Sequence, residues 1–436
     1  MKKIIVLLIF FLTLPHIKVI AKDFKEKNFF IEGGLKYGTV LYHPEHAIYL
    51  KDLHYGGLEF RFGKQTTGKN LWERMLNFPS YGVVLRYSSF YNFSSPFTVR
   101  KERSKVLGQS IASFGFFQGT IIRNKWFSWN YQCGLGFCFF TKINRKGVVY
   151  QPNSLTQDIE NPDNYINKKG ESLPYPDNCL ISLYLTPYVN LQTGFNFQLT
   201  HQLDLCLNVA FNHASNANMN MPNYGVNEIQ GIVNLRYYFN KRKEFAKIDS
   251  FPKFKQGNSL FFTIDPGWLV ARYDGNYYLK TGISLGYVRS FLPVVKAGMA
   301  LEAYYVRYLA HSKEYLKEEW EKPNSPRIPM PKNIYIGAIF GFTELVFDRY
   351  AIQVGIGLYL FKGPGRAKKM DLAQGWENKG SLRHNPIFYE KLGFKIYLDN
   401  KRHHFIGASL RAHAPVADYM AFDYGFQFYN FFDKKK

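Results

Sequence analysis

The sequence is poor in cysteine, in acidic residues and in long apolar runs, and each shortage narrows the class of protein. Four cysteines in 436 residues are too few for a fold that depends on disulfides. Beyond the N-terminal segment no unbroken apolar run reaches ~18 residues, so we expect no membrane-spanning helix. Asp and Glu number 33 against 56 Lys and Arg, and the resulting net charge of +23 favours anionic partners.

The N-terminal segment has the pattern of a secretory signal peptide. Lys2 and Lys3 form a positive start, residues 4–14 are almost wholly apolar, and the small residue Ala21 stands where cleavage would occur. We therefore expect residues 1–21 to be removed on export. An exported protein rarely meets nucleic acid, so we expect no nucleic-acid partner.

Aromatic residues are abundant, at 18% of the chain, and they recur in segments where apolar and polar residues alternate. Alternation with a period of two predicts strands. The predicted strands of the first half are 29–40, 56–63, 80–92, 105–122, 126–142, 180–198, 202–215 and 226–240. Those of the second half are 258–271, 277–291, 295–308, 333–344, 349–363, 386–397, 402–413 and 421–432. Most exceed the ~9–11 residues that a membrane-crossing strand needs, and such even-numbered sets are typical of barrels in the outer membrane of Gram-negative bacteria.

The two halves resemble each other. Gly134–Phe140 and Gly355–Phe361 share a Gly-x-Gly pattern, and a long polar connection follows each. Residues 241–257 are basic and do not alternate, so we interpret them as a linker. The predicted organisation is a signal peptide (1–21), a first barrel (22–240), the linker (241–257) and a second barrel (258–436). The fold prediction is all-β, with two tandem eight-stranded antiparallel outer-membrane barrels. The alternative is one sixteen-stranded barrel, which would be a porin.

Residues that could carry chemistry lie at the end of the seventh predicted strand. The odd positions of residues 203–215 form an apolar stripe that ends in His213 and Ser215, and the even positions face a polar lumen. Residues two apart in a strand are ~6.5–7 Å apart on one face, so an imidazole can approach a hydroxyl nucleophile. A pair of this kind that faces the membrane suits a lipid substrate.

The next strand supplies a third group for such a site. Alternation places Asn227 on the face of His213 and Ser215, and it turns Glu228 into the lumen. A β-bulge could instead rotate Glu228 towards His213. We favour Asn227 on spacing and keep Glu228 as the alternative.

The stretch from His213 to Gly225 resembles the motif of the lipid A 3-O-deacylases of the acyloxyacyl hydrolase family. Their motif is His-x-Ser-Asn, then Pro-Asn-x-Gly, with Glu two residues past that glycine. The turn residues Pro222, Asn223 and Gly225 match it. The resemblance covers residues ~24–240, and the family consists of eight-stranded outer-membrane barrels that remove an ester-linked acyl chain from lipopolysaccharide.

The resemblance implies a role for each residue of the motif. His213 would be the general base, Ser215 the nucleophile, and Asn216 a part of the oxyanion hole. The departure is at Asn227, which stands where the family has its Glu. Asparagine can orient a histidine, but it cannot stabilise the imidazolium by charge.

The second half is a degenerate copy of the first. His413 falls on the opposite face from the apolar stripe of its strand, and Pro415 occupies the serine position. Proline has neither a hydroxyl nor an amide proton, so it is neither nucleophile nor oxyanion donor.

We therefore expect an outer-membrane serine esterase that acts on lipid A of lipopolysaccharide. The alternatives are a non-catalytic barrel pair that binds lipopolysaccharide or a partner, and a porin. We expect no cofactor and no metal, because the histidines lack Cys or acidic partners at ligand spacing. Basic residues of the connection 143–179 are expected to contact lipopolysaccharide phosphates. They are Arg145, Lys146, Lys168 and Lys169. The sequence leaves open the ester that is cut, the role of the second half and the oligomeric state.

Overall fold

A computed structural model of the chain describes residues 28–41, 53–90, 107–143, 180–216, 225–240, 256–270, 277–307, 333–363, 387–413 and 416–429, and the single residues 245 and 254. These residues form sixteen strands and one short helix, α1 (Leu71–Met75). The predicted signal peptide lies outside the described residues, as do most of the predicted linker and the four basic residues Arg145, Lys146, Lys168 and Lys169.

The first eight strands close into an antiparallel barrel in which each strand pairs with the next along the chain. They are β1 (Phe29–Leu41), β2 (His54–Gln65), β3 (Ser80–Ser89), β4 (Gln109–Arg123), β5 (Phe127–Phe140), β6 (Leu185–Gln198), β7 (Leu203–Ala214) and β8 (Val226–Tyr238). The pairing of β1 with β8 closes the ring.

The remaining eight strands form a second closed barrel. They are β9 (Gly257–Val270), β10 (Tyr277–Leu292), β11 (Val295–Arg307), β12 (Asn333–Phe347), β13 (Tyr350–Gly363), β14 (Phe388–Tyr397), β15 (His404–His413) and β16 (Val416–Tyr429). The pairing of β16 with β9 closes this ring. The prediction of two tandem eight-stranded barrels is confirmed, and the alternative of one sixteen-stranded barrel is wrong.

Side-chain alternation explains why these segments form barrel strands. In β7 the outward residues Leu207, Val209 and Phe211 are exposed, and the inward residues between them are buried. The same pattern leaves large apolar side chains on the outside of both barrels. An apolar exterior of this extent is typical of a surface that hydrocarbon solvates. In the described part of the chain, no helix has the length and apolar character needed to span a membrane.

The lumen of the first barrel is filled by buried charged and polar side chains. The Glu59 carboxylate accepts hydrogen bonds from Nε of Arg61 and from Nε of Arg86, both at 2.7 Å. At the end that carries the long connections, an apolar cluster that includes Phe90, Leu107 and Ile181 replaces the polar groups. An eight-stranded barrel has room for side chains only, and this lumen follows that rule.

The sixth strand begins five residues later than predicted, at Leu185 instead of residue 180. Leu180 and Ile181 are consecutive and both buried, at 3% and 0% exposure, which alternation in a strand does not allow. We call Leu180–Ser182 the mouth segment, because its apolar side chains pack in the cluster at the long-connection end of the barrel.

Aromatic contacts join the two barrels. The ring of Phe347, at the end of β12, lies 4.9 Å from the ring of Phe117 in β4 and 6.2 Å from Trp72 in α1. The helix α1 belongs to the β2–β3 connection, the one connection of the first barrel that is long at the end where the others are tight. Its half-buried tryptophan thus has a partner in the second barrel.

Candidate active site

His213 and Asn227 face each other across the β7–β8 pair. The antiparallel register makes them direct neighbours, and Nδ1 of His213 lies 2.7 Å from Oδ1 of Asn227. An amide oxygen only accepts hydrogen bonds, so in the neutral imidazole Nδ1 carries the proton and Nε2 keeps its lone pair. This is the tautomer that a general base needs.

Gly225 brings His213 and Ser215 to one point. Its φ of +73° is a left-handed conformation that glycine adopts without strain. A β-carbon added to Gly225 would lie 2.9 Å from Cε1 of His213 and 3.2 Å from Cβ of Ser215. Both side chains therefore converge on the space that the glycine leaves empty.

Ser215 and Asn216 follow β7 and are both buried, with 4% and 0% of their surface exposed. The backbone N–H of Ser215 donates to the carbonyl of Pro187 in β6 at 3.3 Å. Nδ2 of Asn216 donates to Oγ of Ser182 in the mouth segment at 2.7 Å. Groups from β6 and from the mouth segment thus hold these two buried residues.

Glu228 points into the lumen, as alternation predicts. Its carboxylate accepts a hydrogen bond from the Tyr55 hydroxyl at 3.0 Å and one from Nδ2 of Asn212 at 3.3 Å. Of the two candidates for the third group, Asn227 is the one whose side chain contacts His213. No register shift occurs between β7 and β8 that would rotate Glu228 outward.

The lumen holds β7 rigid directly behind His213. Oδ1 of Asn212 accepts hydrogen bonds from Nη1 of Arg86 at 2.7 Å and from Nδ2 of Asn190 at 2.8 Å. Asn212 itself is fully buried. These hydrogen bonds restrain β7 next to His213, as a site that must hold its side chains in fixed positions requires.

The corresponding strand pair of the second barrel differs. The register of β15 with β16 shifts between Arg411 and Ala412, which indicates a bulge. Arg411 is buried in the lumen, where its guanidinium lies over the rings of Tyr389 and Tyr304, at 3.8 and 4.3 Å from their centroids. The side chains of His413 and Pro415 lie outside the described residues. Among the described residues, no group of three or more His, Cys, Asp or Glu is arranged to hold a metal.

The sequence analysis missed the contact between Ser182 and Asn216. Ser182 is 34 residues from Asn216 in the chain, and it belongs to no motif. Neither alternation nor spacing could reveal it, because the mouth segment departs from the strand pattern.

Comparisons with solved structures add little. The chain matches P. aeruginosa FpvA bound to a heterologous pyoverdine at 10% identity and a TM-score of 0.23, over 82% of this chain and 45% of FpvA. It matches a porin of Rh. blastica at 9% identity and a TM-score of 0.15, over 92% of this chain and 98% of the porin. The chain matches the siderophore receptor PirA from Acinetobacter baumannii at 9% identity and a TM-score of 0.21, over 88% of this chain and 68% of PirA. The chain spans less than half of FpvA, and TM-scores this low support no argument.

The sequence itself matches a family. No curated protein matches the chain at a significant level. Residues 258–430 match the family model of the acyloxyacyl hydrolase C-terminal domain, and they include the described strands of the second barrel except for Gly257 at the start of β9. This is the half that we interpreted as a degenerate copy of the first. The second half of the chain is therefore similar to the acyloxyacyl hydrolase C-terminal domain, the same family that the His213–Gly225 motif of the first half resembles.

Proposed function

We propose that the protein is an outer-membrane serine esterase that removes an ester-linked acyl chain from lipid A of lipopolysaccharide. The observation that carries the proposal is the 2.7 Å contact between His213 and Asn227 on the outward face of the first barrel, beside Ser215. The similarity of residues 258–430 to the acyloxyacyl hydrolase C-terminal domain supports the hydrolase class.

The chemistry follows from the roles of these side chains. Nε2 of His213 takes the proton of the Ser215 hydroxyl, and Oγ of Ser215 attacks the ester carbonyl carbon. The carbonyl oxygen becomes an oxyanion, to which Nδ2 of Asn216 donates a hydrogen bond. The intermediate collapses, His213 returns the proton to the leaving sugar oxygen, and the acyl chain remains on Ser215. Water, deprotonated by His213, then releases the fatty acid.

Asn227 holds His213 in the required tautomer and orientation throughout this cycle. Because its side chain is neutral, it stabilises the imidazolium less than a carboxylate would. We therefore expect a slower enzyme than one with Glu at this position.

The position of the site fits a membrane lipid as the substrate. His213 continues the apolar stripe of Leu207, Val209 and Phe211, so an acyl chain could approach along the outside of β7. The net charge of +23 suits the phosphates of lipopolysaccharide. Arg145, Lys146, Lys168 and Lys169 remain the residues that we propose for that contact.

Mass spectrometry of lipid A, after incubation with detergent-purified protein, tests the proposal. We expect the wild-type protein to remove one acyl chain, and we expect Ser215→Ala and His213→Ala to remove none. All three proteins should remain folded, as judged by their heat-modifiable mobility on gels. Unchanged lipid A with folded wild-type protein would contradict the proposal.

The second candidate function is a non-catalytic barrel pair that binds lipopolysaccharide. The neutral Asn227 in the place of the family's Glu is the observation that favours it. In that case, lipid A would co-purify with the protein and remain intact, and substitution of Ser215 would not change the amount bound.

A further inference from the structure

We propose that Ser182 is a positioning residue that fixes the side-chain amide of Asn216 as an oxyanion donor. The proposal rests on the esterase function proposed above, and it adds a residue that lies outside the His-x-Ser-Asn and Pro-Asn-x-Gly motifs. Ser182 comes from the mouth segment, between the long β5–β6 connection and β6.

The mouth segment is anchored in the barrel before it reaches the site. Leu180 and Ile181 are buried, and they belong to the apolar cluster that also contains Ala214 of β7 and Val226 of β8. Ala214 directly precedes Ser215, and Val226 directly precedes Asn227. The same packing that closes the mouth of the barrel therefore fixes the mouth segment against both strands of the site.

Two hydrogen bonds connect the mouth segment to the two sides of the β7–β8 connection. The carbonyl of Leu180 accepts from the backbone N–H of Gly225 at 3.2 Å. Oγ of Ser182 accepts from Nδ2 of Asn216 at 2.7 Å. The first bond holds the glycine on which His213 and Ser215 converge, and the second holds the oxyanion residue. Three residues of one segment thus support the base, the nucleophile and the oxyanion donor together.

The geometry of an amide explains why the second bond matters for catalysis. The NH₂ group of asparagine has two hydrogens in one plane. When Ser182 accepts one of them, the direction of the other is fixed, and it can meet the developing oxyanion without reorganisation. Loss of the Ser182 acceptor removes one restraint on the amide, so a smaller fraction of its orientations would donate to the oxyanion. The loss should therefore appear in kcat and leave KM unchanged.

The test is a double-mutant cycle with Ser182→Ala, Asn216→Ala and the double variant, assayed as acyl release from lipid A by the full-length protein. We expect Ser182→Ala to lower kcat about 10-fold with KM unchanged, and we expect less than a ~2-fold further loss in the Asn216→Ala background. Ser80→Ala is the matched control, because Ser80 is also buried and donates to Gln118, but at the tight-turn end of the barrel. It should leave kcat unchanged.

A second readout does not depend on activity. In ¹⁵N-asparagine-labelled protein, the side-chain NH₂ pair of Asn216 is identified by its loss in Asn216→Ala. We expect one hydrogen of the pair to exchange slowly in wild type and in Ser80→Ala, and both to exchange rapidly in Ser182→Ala.

The outcomes separate the two proposals. If wild type releases no acyl chain but the NH₂ pair responds as expected, the esterase function is wrong while the fixation of Asn216 by Ser182 stands. If wild type is active, the positioning role is wrong when Ser182→Ala keeps full kcat. It is also wrong when Ser182→Ala lowers kcat by the same factor in the Asn216→Ala background as in wild type. An NH₂ pair that does not respond to Ser182→Ala also overturns it.

Discussion

Asn227 is the residue that distinguishes this site from the family pattern. Its Oδ1 lies 2.7 Å from Nδ1 of His213, so the orienting contact exists without the charge. In Ser-His-Asp enzymes the buried carboxylate orients the histidine and also stabilises the imidazolium that forms during catalysis, and replacement of that Asp by Asn lowers kcat by ~10⁴.

The reverse change should therefore raise activity. Asp has the shape of Asn, so Asn227→Asp keeps an oxygen beside Nδ1 of His213 and adds the missing charge. We expect kcat for acyl release to rise about 10-fold or more, measured as fatty acid released per folded protein. Glu228→Gln, one residue away on the lumen side, is the control and should leave kcat within ~2-fold. A lower kcat for Asn227→Asp would contradict the role of His213 as base.

Gly225 supports a second prediction at the residue scale. Its positive φ and the 2.9 Å approach to His213 leave no space for a methyl group. Gly225→Ala should displace the imidazole and lower kcat at least ~10-fold, because displacements of about 1 Å can cost ~10²-fold in rate. Gly115→Ala is the matched control, since the nearest atom to an added β-carbon there is 3.9 Å away. Equal activity of the two variants would show that the packing around Gly225 is not needed.

At the scale of the strands, β7 and β8 each present one face to the lumen and one to the outside. Asn227 and Glu228 are adjacent in β8, yet the first contacts His213 and the second accepts from Tyr55 and Asn212. Under the proposed function, β8 therefore places a positioning residue and a stabilising residue side by side.

This arrangement predicts reciprocal effects. Glu228→Ala removes the acceptor of Nδ2 of Asn212 and leaves the Tyr55 hydroxyl with Gln230 alone. This should lower the free energy of unfolding by about 1–3 kcal/mol and keep acyl release per folded protein within ~3-fold. Asn227→Ala should do the opposite, with nearly unchanged stability and most of the activity lost. The free energy of unfolding is measured by titration with urea, with the loss of the heat-modifiable gel band as the signal. A stable Glu228→Ala protein without activity would reverse the assignment.

Alternation predicted most of the fold, because one-sided burial in a barrel makes the sequence period visible. Strand β7 was predicted at 202–215 and observed at Leu203–Ala214. The same pattern predicted that the side chain of Asn227 points outward and that of Glu228 points into the lumen. The mouth segment was not predicted, since the burial of Leu180 and Ile181 depends on side chains from distant strands. The contact of Ser182 with Asn216 is a tertiary contact of the same kind, and no local pattern encodes it.

At the scale of the whole molecule, the described contacts of the second barrel lie away from the site. Phe347 touches Phe117 of β4 and Trp72 in the β2–β3 connection. In the closed order of eight strands, β3 and β4 stand opposite β7 and β8. None of these described contacts involves β7 or β8, the strands that carry His213 and Asn227.

Disruption of the contact between the barrels should therefore spare catalysis. We expect Phe347→Ala to release acyl chains at a rate within ~2-fold of wild type, because no described contact joins Phe347 to the β7–β8 pair. Phe388→Ala, which removes an exposed aromatic side chain elsewhere on the second barrel, is the control. If Phe347→Ala lost as much activity as Ser215→Ala, the second barrel would have to take part in the reaction.

The central claim of the proposal is that Ser215 is an activated nucleophile beside His213, directly after the end of β7. The most direct measurement is reaction of the detergent-purified protein with a fluorophosphonate, followed by intact-mass and peptide mass spectrometry. This probe reports on the nucleophile without assuming which ester is cut. We predict one adduct on Ser215 in wild type and none in His213→Ala. Absence of an adduct from folded wild-type protein, or an adduct on another serine, would contradict the account.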